Sequence, residues 1–240
     1  MNEVLSQLHA RKSVRAFLDR PISPEARRAI LEAACAAPTA GNQQLYTILD
    51  ITDQAVKDTL ADTCDHQPFI AQAPLVLLFC ADCQKWYDAF AAGGCSPRRP
   101  GPGDLWLALS DANIAAQNAV TAAWSLGIGS CYIGDILEQV ETHRTLLRLP
   151  EYVVPAALLV FGYPTQQQQE REKPRRRALE HIVHENAYRR MEPAEAMLAD
   201  NAGARPYGAW LDAFCKRKYN SDFSREMSRS MAEYLKPFLP

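Results

Sequence analysis

Two uninterrupted apolar runs, Leu75-Val76-Leu77-Leu78-Phe79-Cys80 and Ala156-Ala157-Leu158-Leu159-Val160-Phe161, punctuate an otherwise mixed chain. Each has the length of a strand and no polar alternation, the pattern of strands covered on both faces. A third extended segment, Tyr46-Thr47-Ile48-Leu49-Asp50-Ile51, follows the loop from Pro38 to Gln44. Helical spacing governs other stretches. Ser23-Pro24-Glu25 predicts a helix start, with Ser23 as cap, Pro24 at the first helical position and Glu25 favourable to the dipole. Ile30, Leu31, Ala34 and Cys35 then give that helix one buried face, and Pro38 ends the stretch. The alanine-rich segment from Ser110 to Leu126, with Ile114, Val120 and Trp124, predicts a core helix stopped by Gly127. Near the end of the chain Met227, Met231, Tyr234 and Leu235 share helical spacing. Strands separated by helices imply mixed α and β structure rather than a helical bundle.

Two segments interrupt this pattern. Residues 93 to 103 are too rich in Pro and Gly for regular structure and predict a surface loop. The four glutamines at 166 to 169 predict a polar connection. At 240 residues with 48% hydrophobic content the chain supports one substantial core. The formal net charge of -2 and the near-neutral balance offer no field that would favour nucleic acid or an anionic membrane. No apolar run approaches the ~18 residues needed to span a bilayer, and a cytoplasmic protein is the expected reading. The seven cysteines lack the spacing of a disulfide scaffold and are expected to be reduced thiols.

Against this balance two local basic stretches stand out: Arg11-Lys12-Ser13-Val14-Arg15, and Lys173-Pro174-Arg175 after the last strand. Guanidinium forks, ammonium groups and a hydroxyl are what a phosphate dianion needs, so the two stretches predict the halves of one phosphate clamp. Taken singly, each stretch also fits solvated surface charge.

The order of the motifs adds a resemblance. Arg11-Lys12-Ser13-Val14-Arg15-Ala16-Phe17, Pro38-Thr39-Ala40-Gly41-Asn42-Gln43-Gln44, Gly127-Ile128-Gly129-Ser130-Cys131-Tyr132-Ile133-Gly134, Gly162-Tyr163-Pro164 and Lys173-Pro174-Arg175 together resemble the FMN-dependent nitroreductase and flavin reductase family. The branch of oxygen-insensitive NADPH nitroreductases is the most similar, and Gln67 also fits it. The resemblance covers residues 4 to 190. It implies an α+β nitroreductase fold, a central mostly antiparallel sheet flanked by helices. It divides the chain into an FMN-binding domain over 1–190 and a helical C-terminal extension over 191–240 packed on a partner subunit of a homodimer.

The site it implies binds FMN tightly. Arg11, Lys12 and Ser13 with Lys173 and Arg175 would grip the phosphate. Arg15 would stand beside flavin N1 and O2 as the catalytic cation that stabilises the reduced ring, and Gln67 would bond the pyrimidine edge. Pro38, Thr39, Ala40 and Asn42 would line the ring and ribitol, and Tyr132, Ile133 and Gly134 would run past the ring, where a backbone amide can reach N5. Asp135 stands where relatives commonly have glycine, and either orientation of its carboxylate is open. The implied reaction is ping-pong: hydride passes from NADPH or NADH to N5, and nitroaromatics, quinones or free flavins then take the electrons.

Alternatives to this function stay open. A flavin-binding protein for storage, delivery or sensing would need only the clamp, and reductive dehalogenation or flavin breakdown could use the same scaffold. Lys216-Arg217-Lys218 with Ser224-Arg225, or Arg98 and Arg99, could meet the 2′-phosphate of NADPH or form solvated faces. Gly127-x-Gly129 follows a helix and enters a strand, the reverse of the dinucleotide fingerprint. Cys80 and Cys83 lack a second pair at metal spacing and predict core thiols. His181, His184 and Glu185 lack a third ligand, and no metal site is expected. Cys64 and His66 lack a third partner for nucleophilic catalysis.

Overall fold

In the computed structural model, residues 1–190, 203 and 205–240 are described. The elements run α1 (Glu3–Ala10), α2 (Pro24–Cys35), β1 (Tyr46–Asp50), α3 (Gln54–Thr63), α4 (Phe69–Gln72), β2 (Leu75–Asp82), α5 (Gln84–Ala92), α6 (Pro102–Ser125), β3 (Gly129–Ile133), α7 (Val140–Leu146), β4 (Val153–Gly162), α8 (Gln166–Glu170), α9 (Tyr207–Lys218) and α10 (Asp222–Leu235). The four strands form one sheet in the order β1-β2-β4-β3, antiparallel at every step.

The two apolar runs are its central strands, and the absence of alternation has a direct cause. Leu75, Leu77 and Phe79 of β2 pack with Leu159 and Phe161 of β4 into a core formed with Ile30 and Ala34 of α2 and the alanine face of α6. The intervening Val76, Leu78, Cys80, Leu158 and Val160 face the opposite side, among Leu60 of α3 and Ile70 of α4. Both faces are dry, so both phases of each strand are apolar.

Ser23 caps α2 as predicted, its hydroxyl accepting from Ala26 N at 3.2 Å. The helix expected from Ser110 begins earlier, at Pro102. Pro102 occupies the first turn, and the Asp104 carboxylate accepts from Gly101 N at 2.7 Å, so the Pro/Gly composition that predicts a loop through 103 also contains a helix start. The glutamine tract likewise forms the short helix α8, capped by Thr165.

The chain divides into two compact units, Met1–Arg171 with Glu226–Pro240, and Glu172–Arg225. This differs from the boundary expected at 190. The beginning of the expected extension, 191–202, lies outside the described residues, as does 204. Its end belongs to the first unit: Tyr234 and Phe238 are buried with Leu45, Leu105, Tyr152 and Val154 of the same chain. The α10 helix is tied down by its polar residues as well. Glu226 accepts from Gln139 N at 3.1 Å and Ser230 Oγ accepts from Val140 N at 3.1 Å, so the last helix caps the open N-terminus of α7. Within the chain, the apolar stripe of residues 226 to 240 thus has cover of its own.

Candidate functional site

The segment from Arg11 to Phe17 lies against the sheet rather than in solvent. Ser13 bridges Ser130 of β3 in parallel, and Val14 N donates to Ser130 O at 2.9 Å. Phe17 bridges Pro164, and Leu18 N donates to Tyr163 O at 2.8 Å. Two glycines make this docking feasible. A Cβ on Gly129 would stand 2.5 Å from Val14 Cγ2, and one on Gly162 would stand 2.6 Å from the Phe17 ring, closer than any real methyl sits. The glycines of two motifs in the sequence thus serve the same basic segment. With Val14 fully buried, the extended backbone turns its neighbours Ser13 and Arg15 the other way.

Three polar groups of the segment surround Cys131. Burial pushes the Cys131 thiol up, while the Arg15 guanidinium, the Ser13 hydroxyl and the Arg11 guanidinium oppose that shift. Arg11 Nη1 is buried and has no hydrogen-bond partner. Lys12 is occupied: its Nζ donates to Gln169 O at 2.6 Å and also to Arg171 O. Arg171 Nη2 donates to Ser13 O at 2.6 Å, and Arg15 N to Gln168 Oε1 at 3.2 Å, so the residues after Thr165 brace the segment from behind. An unanswered guanidinium N–H in a segment that also carries a hydroxyl and a second guanidinium has the chemistry of an anion site.

The second candidate segment is the loop from Pro38 to Gln44, where Gly41, Asn42 and Gln44 have positive φ of 56°, 56° and 47°. For Asn42 and Gln44 that backbone costs free energy, and tertiary contacts hold it. Asp111 of α6, 3% exposed, is the main clamp: Oδ1 accepts from Ala40 N at 2.9 Å and Oδ2 from Leu45 N at 3.2 Å. Thr39 Oγ1 accepts from Gln44 N at 3.2 Å, and Trp86 Nε1 donates to Gln43 O at 2.7 Å. Pro38 and Asn42 are exposed, and Thr39 and Ala40 half-buried. Nothing in the sequence pattern marked Asp111.

The third candidate segment carries Gln67. Its Nε2 donates to Cys64 O at 2.8 Å and to Asp135 Oδ2 at 2.9 Å, so the Asp135 carboxylate points at Gln67. On β3, Tyr132 is partly exposed with its hydroxyl 3.4 Å from Gln117 Oε1, and burial raises it to about 12. Ile133 turns its side chain into the core, and Gly134 is exposed at the start of the turn Gly134–Leu137. Only backbone is available to a ligand at Ile133. Behind this turn Glu138 is buried with its Oε1 unpartnered. Burial, then the charges of Asp135, Asp65 and Glu226, push Glu138 up to about 7.

The three segments fall within one stretch of the chain. The sequence model described as the nitroreductase family matches residues 8–163, which contain all three. The chain belongs to the nitroreductase family. It is 30% identical over 236 residues to the FMN reductase [NAD(P)H] of Bacillus subtilis, covering 98% of this chain and 91% of that one. With the oxygen-insensitive NADPH nitroreductase of Salmonella typhimurium it shares 34% identity over 200 residues, 83% of this chain and 79% of the relative. Among solved structures, the NADPH:FMN oxidoreductase of Vibrio harveyi complexed with NAD+ superposes with a TM-score of 0.78 at 25% identity over 99% of both chains. The antiparallel sheet flanked by helices is the nitroreductase fold expected from the motifs.

Elsewhere in this nitroreductase-family chain, other sequence candidates take structural positions. Lys173 and Arg175 belong to the second compact unit. Lys216 pairs with Asp212 at 2.8 Å along α9, and Arg217 lies 5.5 Å from the Phe214 ring. Arg98 is committed to Asp104, through Nη1 at 2.5 Å and Nη2 at 3.0 Å. Cys80 and Cys83 are buried thiols, each pushed up to about 12 chiefly by burial. Cys64 is raised to about 12 by burial and by Asp135, which leaves it a poor nucleophile, and His66 pairs with Asp62 at 2.6 Å.

Proposed function

We propose that this chain is an FMN-dependent NAD(P)H oxidoreductase whose flavin site is formed by the 11–15 segment, the 38–44 loop and Gln67. The observation that carries the reading is the buried, unpartnered Nη1 of Arg11 beside Ser13 and Arg15. An unanswered buried donor costs about 1–3 kcal/mol, and a phosphate dianion answers it with a charge-assisted bond. The donor set suits FMN: two guanidinium groups, a hydroxyl and the Ile133–Gly134 backbone lie on one side, and a neutral amide on another. The names of the two relatives, an FMN reductase and an NADPH nitroreductase, support the same cofactor and reductant.

Bound FMN would supply the redox chemistry, accepting hydride from a reduced nicotinamide and passing electrons on to a second substrate. The chain's own residues bind and orient. In this reading Arg11 and Ser13 hold the phosphate, and Lys12 fixes the 165–171 backbone while adding its charge. The side chains of Lys173 and Arg175, which belong to the second unit, have the chemistry a phosphate ligand needs. Arg15 provides the fixed cation at the ring. Gln67, its Nε2 engaged by Cys64 O and Asp135, presents Oε1 to a ring N–H. Thr39, Ala40 and Asn42 exclude water from one side, on a loop that Asp111 holds.

The electron acceptors we propose are flat and varied, namely nitroaromatics, quinones or free flavin, reached by a ping-pong sequence. Steady-state rates with NADPH and a quinone varied together test this: parallel double-reciprocal lines are expected, and intersecting lines would overturn the ping-pong assignment. We also propose a homodimer. On α6, Trp106 is 75% exposed, with Ile114 open on the same helix, and α1, which meets α6 at Gln7, Leu8, Thr121 and Trp124, exposes Val4 and Leu5. Sedimentation at micromolar concentration should return twice the chain mass; a single-chain mass would refute it. A cytoplasmic location accords with seven free thiols and with the absence, among the described residues, of any helix able to cross a membrane.

A further inference from the structure

Between α5, the loop that follows it and the first turns of α6 lies a cavity of about 400 Å³. That volume is in the range of small-molecule sites. Its apolar wall is Trp86, Tyr87, Phe90 and Leu107. The Trp86 and Phe90 rings are 5.4 Å apart and tilted by 37°, and the indole N–H is already given to Gln43 O, so Trp86 offers the cavity ring surface and no unmet donor. Flat aromatic groups gain most from such a wall, because tilted and edge contacts add to the area buried.

The polar end is charged but balanced. Arg98 and Asp104 line the cavity and are bonded to each other through both guanidinium Nη atoms. An anionic ligand would meet the Asp104 carboxylate and a cationic one the Arg98 guanidinium, whereas an uncharged molecule disturbs neither. Gln43 and Ser96 supply neutral hydrogen-bonding groups on the lining. The two ends of the enclosing loop are tied to the helices that flank it: Gly94 N donates to Ala91 O at 3.1 Å, Cys95 N to Phe90 O at 2.9 Å, and Gly101 N to the Asp104 side chain at 2.7 Å.

We propose that this cavity is a binding site for an uncharged, planar aromatic molecule carrying a hydroxyl or carbonyl group. The inference stands on the cavity and does not rest on the flavin assignment. Its test is calorimetric titration of the intact protein, as purified, with 2-naphthol, and with 2-naphthoate as the anionic counterpart. Phe90 and Leu107 are 40% and 48% exposed, so Phe90→Ala and Leu107→Ala remove wall without opening the core. Saturable binding of 2-naphthol is expected, weakened about tenfold by either substitution and about tenfold for 2-naphthoate. Absence of saturable binding, undiminished binding by both variants, or tighter binding of 2-naphthoate would overturn the proposal. A measurement free of substitutions uses Cys95, an exposed thiol on the same lining. Saturating 2-naphthol should slow its alkylation by iodoacetamide about fivefold or more while Cys35 and Cys215 react as before; an unchanged rate at Cys95 counts against the site.

Discussion

Arg11 carries two opposed demands. Its buried Nη1 lacks an acceptor in the protein, so the group destabilises the chain alone and stabilises it with an anion bound. Arg11→Ala should weaken FMN binding by about 1.5–3 kcal/mol in a fluorescence titration of the apoprotein, while leaving apoprotein stability equal or higher. Unchanged affinity would remove Arg11 from the clamp. Asp111 makes the complementary case, a buried carboxylate whose two oxygens hold Ala40 N and Leu45 N. Asp111→Asn replaces one acceptor with a donor facing an amide N–H, and should cost about 2–3 kcal/mol in denaturant melts. The signature is local: hydrogen exchange at Ala40 and Leu45 quickens, and protection equal to wild type would show that the loop holds itself. The basic motif was legible in sequence because its residues are contiguous. Asp111 was not, since its partners lie 71 and 66 positions away and a single aspartate in an alanine-rich helix breaks no period. The Gln67–Asp135 contact, across 68 positions, escaped for the same reason.

At the scale of elements, the docking of the 11–17 segment depends on the glycines beneath it. Gly129→Ala should destabilise the protein by about 1–3 kcal/mol through overpacking against Val14, and Val14→Ala in the same chain should recover part of that loss. Additive losses in the double variant would mean that the two side chains do not share one space. The turn after β3 adds a pH dependence. Glu138 has its folded value raised to about 7 from an ordinary 4.5, so its contribution to stability is complete below the unfolded value and is lost as pH rises through 7. Glu138→Gln should therefore gain on the order of 2 kcal/mol over wild type at pH 8, with the gain vanishing toward pH 4. A constant difference across that range in thermal melts would contradict the assignment. The central strands could be read from sequence because a six-residue apolar run without alternation is too short for a core helix and fits a strand covered on both faces. The first turns of α6 could not, since Pro102 and Gly103 carry loop composition even where Gly101 and Asp104 complete a helix start.

For the molecule as a whole, hydrophobic periodicity implies mixed α and β structure, and the family resemblance supplies the antiparallel topology, which periodicity alone does not encode. At the end of the chain Met231, Tyr234 and Leu235 form an apolar stripe that fits a partner or the chain itself in sequence, and in the structure Tyr234 and Phe238 are buried within the chain. The central claim is a flavin held by Arg11, Ser13 and Arg15 and reduced by a nicotinamide. The most direct test is the visible absorbance spectrum of the purified protein under anaerobic conditions, before and after addition of NADPH and then NADH. Flavin bands that bleach on reduction and return with a quinone are the predicted result. A colourless protein that also fails to take up added FMN would contradict it.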